Sequence, residues 1–225
     1  MYRDTKIIGF AGFCKSDIIL YLSRILYLTG EKVAIIDRSN EQELCYSVPA
    51  EFYSDDRVEY RGVDVYLRCR NTQLKDLPIS DYSVVLADLG VNGESYEDIN
   101  FLRILYIVTD CNKFHTIPLS IWLKNLPAGI DSVRIIRDTV CGKIRSRYID
   151  SLLQAGQVSN VIAKYEFPLN ELEYSTRLIA QYDDIYKFTK VTEDFKNMLL
   201  DCLTEIFGKE PKAAKKALKK AQMGG

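Results

Sequence analysis

Residues 6–17 read Lys-Ile-Ile-Gly-Phe-Ala-Gly-Phe-Cys-Lys-Ser-Asp. Ile7, Ile8 and Phe10 form a short apolar strand, and the turn after it runs into a helix beginning near Ser16. The phosphate-binding loop pattern is a glycine, four residues, then Gly-Lys-Ser/Thr. Gly9, Lys15 and Ser16 occupy three of those places, and Cys14 stands where the second glycine belongs. The chemistry suits a phosphate: a helix N-terminus and loop amides hold its oxygens, a lysine neutralises charge, and a hydroxyl binds magnesium.

The helix predicted over 16–29 carries Ile18, Ile19, Leu22, Ile25, Leu26 and Leu28 on an apolar face, and Gly30 is placed to end it. Lys32–Asp37 follows as a strand apolar on both faces, which completes a βαβ crossover in a buried parallel sheet. Further strands are expected at Tyr82–Asp88, Leu102–Thr109, Ser132–Asp138 and Val161–Phe167. Helices are expected over 117–126, 144–154, 171–182 and 190–207. Val58–Tyr60 and Val63–Leu67 alternate, as short strands of a hairpin or sheet edge do. This alternation of strand and helix predicts an α/β fold, a three-layer sandwich with a mainly parallel, doubly wound sheet.

In such a sheet, ligands bind at the carboxyl ends of the strands. Lys15 and Ser16 follow the first strand, Asp37 ends the second and Asp88 ends the next buried one, so a lysine, a hydroxyl and two carboxylates converge on one edge. The bland alternatives are an ordinary helix start capped by Ser16 and carboxylates at turns.

Composition bounds the rest. With 47% apolar and 27% charged residues, the chain can bury a sizeable core, and a net charge of −1 gives it no overall bias towards nucleic acid or anionic membrane. The six cysteines, at 14, 45, 69, 111, 141 and 202, include no Cys-x-x-Cys, and one histidine is too few for a Cys/His zinc site, so reduced buried thiols are expected. Cys14 is read as a filler rather than a redox thiol, and His115 as a surface or loop residue. The N-terminus carries no apolar signal region, and no apolar run approaches the roughly 20 residues that span a bilayer. A cytoplasmic location is therefore expected.

Residues 6 to about 207 resemble the MinD/ParA family of P-loop ATPases: loop, helix, strand ending in Asp37, strand ending in Asp88 with Gly90 two residues on, and a late strand meeting Phe167-Pro168. The family loop Lys-Gly-Gly-x-Gly-Lys-Ser/Thr corresponds here to Phe10, Ala11, Gly12, Phe13, Cys14, Lys15 and Ser16. The family's first lysine, which reaches across a nucleotide-sandwiched dimer, is Phe10. Its Asp-x-Asp after the second strand is Asp37-Arg38-Ser39. The resemblance implies ATP or ADP with magnesium, or no nucleotide at all. If nucleotide binds, Gly9, Gly12, Cys14, Lys15, Ser16, Asp37 and Asp88 would contact it, with Ser16 and Asp88 on the magnesium. No catalytic residue carries over. Losing a cation from phosphoryl transfer removes about 10³–10⁵ in rate, so hydrolysis is expected to be very weak or absent.

The damaged loop is similar to that of the atypical relatives that act as scaffold or localisation proteins, such as TadZ/CpaE of pilus and secretion systems. This implies protein partners in an envelope-associated machine and a homodimer; nucleic acid is not expected as a partner. Phe10 and Phe13 would be either core or a dimer surface that works without ATP. The alternative is an active ATPase switch in spatial positioning or DNA segregation. The kinase relatives that end in a tyrosine cluster are not indicated, because the 15 tyrosines are spread along the chain. The domain is expected to span 1–208. Residues 209–225, with six lysines and one glutamate, are expected to be a flexible tail making at most weak contact with anionic membrane, since Ala213, Ala214, Ala217, Leu218 and Ala221 offer little apolar bulk for anchoring.

Overall fold

A computed structural model describes residues 5–49, 55–127, 129–153, 159–182 and 187–224. Its strands are β1 (Lys6–Gly12), β2 (Val33–Asp37), β3 (Arg57–Tyr60), β4 (Val63–Tyr66), β5 (Val84–Gly90), β6 (Ile104–Thr109), β7 (Ile130–Thr139) and β8 (Ser159–Pro168). Its helices are α1 (Ser16–Leu28), α2 (Lys113–Leu123), α3 (Ser146–Leu153), α4 (Glu171–Ala180), α5 (Glu193–Asp201) and α6 (Pro211–Gln222). The eight strands form one sheet in the order β3-β4-β2-β5-β1-β6-β7-β8. All neighbours are parallel except β3, which pairs antiparallel with β4 as the predicted edge hairpin.

The layers follow from the period-2 alternation of a strand with both faces buried. In β1, Ile8 and Phe10 enter the core that also holds the apolar residues of α1, α5 and α6, while Ile7 and Ala11 enter the opposite core with α2 and α3. Strand β5 divides in the same way, with Val84 and Leu86 on the first side and Val85, Ala87 and Leu89 on the second. Because β1 lies between β5 and β6, the turn after it opens at the middle of the carboxyl edge.

Two elements depart from the sequence reading. Helix α2 begins at Lys113, four residues before the predicted 117, because the Asn112 side chain accepts from the Phe114 amide at 2.9 Å and caps it there. Pro118 therefore lies inside α2 and not at its start. The last predicted residue of the 144–154 helix, residue 154, lies outside the described residues, as does Gly225.

The second departure corrects the flexible tail. Residues 211–222 form α6, opened by Pro211 at its first turn and by the Glu210 carboxylate, which accepts from the Ala213 amide at 2.9 Å. Ala214, Ala217, Leu218 and Ala221 are buried in the core with α1, and the lysines at 212, 215, 216, 219 and 220 face outward. The small side chains that were too slight for a membrane anchor let two helices approach closely. Lys209 pairs with Glu31, Phe188 donates to the Gln222 carbonyl at 3.3 Å, and Arg61 donates to the Gly224 carbonyl at 3.1 Å, so the segment is pinned at both ends. The apolar face that anchoring in a membrane would need is covered by the fold itself. Among the described residues, no helix is long and apolar enough to cross a membrane.

A docked α6 and a loose tail differ in what a substitution does. Leu218→Ala is expected to cost about 2 kcal/mol in urea unfolding, and Lys216→Ala less than about 0.5 kcal/mol. Equal, negligible effects would restore the loose tail.

Candidate nucleotide-binding site

The loop is shaped by three backbone constraints. Gly12 ends β1 at φ +96°, and a Cβ there would lie 2.0 Å from the Val108 carbonyl oxygen, so only glycine fits. Phe13 donates its amide to that same carbonyl at 3.0 Å. Cys14 then adopts φ +56°, the left-handed region that a glycine would take at no cost and that costs an L-residue roughly 1–2 kcal/mol. The cysteine therefore leaves the glycine conformation of the loop in place and adds a side chain to it. Gly9, expected among the nucleotide contacts, lies within β1, where a side chain would meet Leu102, Leu105 and Leu89.

Lys15 and Ser16 follow at the start of α1, both buried. Lys15 turns into the fold, and its Nζ lies 2.9 Å from Asp88 Oδ1, with neither side chain more than 1% exposed. Asp88 Oδ1 also accepts from the Gly90 amide at 3.0 Å. Asp37 and Asp88 stand opposite each other at the ends of β2 and β5. Asp37 Oδ1 accepts from the Ser39 amide at 3.0 Å, the Ser39 hydroxyl at 2.7 Å and the Gln42 side chain at 3.1 Å. The Ser39 amide and hydroxyl together thus orient the Asp37 carboxylate.

One lysine thus faces two buried carboxylates. Burial pushes Asp37 up to about 6, against the Ser39 hydrogen bonds and the Lys15 charge. Burial also pushes Asp88 up to about 7; Lys15 opposes that rise and Asp37 adds to it. Burial works against the Lys15 charge as well, but Asp88 outweighs it and leaves the ammonium holding its proton more firmly than usual. The pair of carboxylates is best regarded as one titrating unit.

The remaining oxygens bear on a cation. Asp37 Oδ2 and Asp88 Oδ2 are buried without a hydrogen-bond partner. Hard carboxylate oxygens and a serine hydroxyl are the donor type that magnesium takes, so the residue types at this edge fit a magnesium-bound phosphate group.

Several residues that hold this edge together were not singled out from the sequence. Arg137 of β7 is buried and forks onto Asp17 of α1 at 2.7 and 2.9 Å, while donating to the Cys14 carbonyl at 2.8 Å. Arg38 is fully buried, pairs with Asp98, and holds the loop after β2 against the turn following β5. The available signal was an arginine inside an otherwise apolar strand, at Arg134 and Arg137, because a buried charge demands a partner.

Phe10 is fully buried and stacks on Tyr106 with ring centres 5.1 Å apart. Of the two roles expected for it, it takes the core and not a dimer surface. Phe13 is half-buried and stacks on His115 at 4.6 Å. His115 is not a loose surface residue: its Nδ1 lies 2.9 Å from Asp110 Oδ1. Burial, followed by Asp110, pushes the Cys14 thiol up to about 12, which opposes a free thiolate.

Both raised carboxylates bind protons more readily in the fold than in the unfolded chain. The stability they contribute is complete below the ordinary carboxylate pKa and is lost as pH rises through about 6 to 7. Asp37→Asn is therefore expected to reduce the loss of unfolding free energy between about pH 5 and pH 8 by on the order of 1–2 kcal/mol relative to wild type. Parallel stability profiles for the two proteins would show that Asp37 carries no such shift.

No protein-family model and no curated protein sequence matches the chain. Solved structures do. A ParA family ATPase from Chlorobium tepidum aligns with a TM-score of 0.58 at 13% identity, over 96% of this chain and 97% of its own. McdA of Cyanothece, in its ATP complex, aligns at 0.54 and 10% identity, over 98% and 96%. The Aquifex aeolicus MinD, in its complex with MinC, aligns at 0.52 and 12% identity, over 92% and 97%. At these identities the likeness is one of fold: the chain is built on the architecture of the ParA/MinD P-loop ATPases.

Proposed function

We propose that this chain is a MinD/ParA-like scaffold or localisation protein that keeps the nucleotide cradle but hydrolyses nucleotide very weakly or not at all. The observation that carries this reading is the buried Lys15–Asp88 pair at 2.9 Å, set beside a serine, Ser39, and a core phenylalanine, Phe10. In the resemblance, those last two positions bear the water-positioning carboxylate and the lysine that crosses a dimer. Neither group is here to stabilise a phosphoryl-transfer transition state.

The binding half of the site is better preserved. If nucleotide binds, Ser16, Asp88 and Asp37 would hold magnesium, which supplies charge neutralisation for the phosphates. Lys15 would serve the same phosphates, and to do so it must leave Asp88. That exchange is balanced only if another cation takes the lysine's place against the carboxylates, because uncovering a buried charge is costly. Nucleotide binding is therefore expected to depend strongly on magnesium. The ATP complex of McdA, on the same fold, supports a nucleotide at this edge. The complex of MinD with MinC supports protein partners for the fold, and we extend this to a component of an envelope-associated pilus or secretion machine, acting as a homodimer in the cytoplasm or at the membrane periphery. The exposed lysines of α6 would contribute only electrostatic attraction to an anionic surface.

A second reading, a working ATPase switch, is favoured by the two unpartnered carboxylate oxygens. Calorimetric titration with ATP and ADP, with and without magnesium, together with phosphate release from wild type and Lys15→Ala, separates the two. The scaffold reading expects binding, where present, only with magnesium, and phosphate release that does not fall in Lys15→Ala. Turnover that does fall in that variant would establish the switch and end the scaffold reading.

A further inference from the structure

The structure brings together three residues that sequence spacing keeps apart. Cys14 lies in the turn after β1, Asp110 directly follows β6, and His115 lies in the first turn of α2. One ligand atom from each lies within 4.8 Å of the others, and all three residues are only half-buried, within reach of a small ion. Cys14 Sγ lies 3.7 Å from Asp110 Oδ2, and His115 Nδ1 lies 2.9 Å from Asp110 Oδ1. The Asn112 amide donates to Asp110 Oδ1 at 2.8 Å and orients the carboxylate, while Phe13 stacks on the imidazole and fixes its plane.

At bond lengths of roughly 2.0–2.3 Å, two ligands on one tetrahedral zinc stand about 3.2–3.8 Å apart, so small side-chain rotations close the set. A sulfur, an imidazole nitrogen and one carboxylate oxygen are donors for a borderline transition cation; calcium and magnesium take oxygen. We propose that Cys14, Asp110 and His115 form a binding site for a divalent transition cation, with zinc the best match, that ties the loop after β1 to the loop after β6. Three protein ligands leave the fourth position to water or an incoming ligand.

The backbone supplies an independent reason. Cys14 holds a left-handed φ of +56° that a glycine would adopt freely, and strained residues of this kind persist where a side chain is needed at a particular point. In the metal-free protein, burial and Asp110 keep the thiol protonated. A divalent cation reverses that balance by displacing the proton, so binding should release a proton and tighten as pH rises.

The test is titration of the metal-stripped full chain with cobalt(II) as a spectroscopic probe, followed by displacement with zinc. The expected result is one cobalt per chain with an intense near-ultraviolet sulfur-to-cobalt band, lost on adding zinc. Cys14→Gly, which suits the local backbone, and His115→Asn are each expected to weaken zinc binding by more than the about 10–100-fold typical of losing an outer-sphere partner. Cys111→Ser and Cys141→Ser should bind as wild type does. Absence of the sulfur band in wild type overturns the site whatever the variants do. So does binding that survives Cys14→Gly, or binding that is lost with Cys111→Ser or Cys141→Ser.

Discussion

The carboxyl edge of this sheet is organised by a shortage of positive charge. Asp37 and Asp88 are brought side by side by strand register, both out of water, with one lysine to serve them. Burying an ion pair is favourable only where the geometry is good and the spare lone pairs are occupied. Asp37 meets that condition at Oδ1 through Ser39 and Gln42, and Asp88 at Oδ1 through Lys15 and the Gly90 amide, while the Oδ2 atom of each is left without a hydrogen-bond partner. The direction of Lys15, the role of Ser39 and the raised pKa values of both carboxylates all follow from this one imbalance. It also explains why Lys15 turns inward: its ammonium is already committed to Asp88.

Around that centre, arginines do much of the fastening. Arg137 joins β7 to α1 through Asp17 and holds the Cys14 carbonyl, and its guanidinium lies 5.6 Å from the Phe195 ring of α5. Arg38 anchors the loop after β2, next to Asp37. Arg177 of α4 pairs with Asp138 at 2.8 Å near the end of β7. A planar fork that bonds two oxygens at once is suited to positions where little water is available. The phosphate-loop turn is thereby held from the β7 side as well as by its own glycine.

Much of the fold was legible because the strands are apolar on both faces and the loop between Gly12 and Ser16 has few structural meanings. Lys15, Asp37 and Asp88 were legible because a parallel sheet delivers its strand ends to one edge. What was missed is non-local. Nothing near Cys14 in the sequence announces Asp110 and His115, nor does Asp17 announce Arg137. The lysine-rich segment reads as a loose tail in sequence because its alanines carry little hydrophobicity of their own. Their value appears only against the groove of another helix, where small residues allow close approach. For Phe10 the sequence admits both core and surface, and the alternation along β1 decides for the core, since Ile8 and Phe10 share a face.

The pairing of α1 with α6 has a consequence for how the chain is made. Helix α1 carries the apolar residues next to the phosphate-loop turn, and part of their cover arrives only with a helix translated almost a whole domain later. During synthesis the early βα unit must wait with that face open, a state prone to adhesion and attractive to holding chaperones. Contacts between segments so far apart in sequence also slow the search for the folded state. The turn after β1, made long before α6, is thus among the last parts of the molecule to be finished.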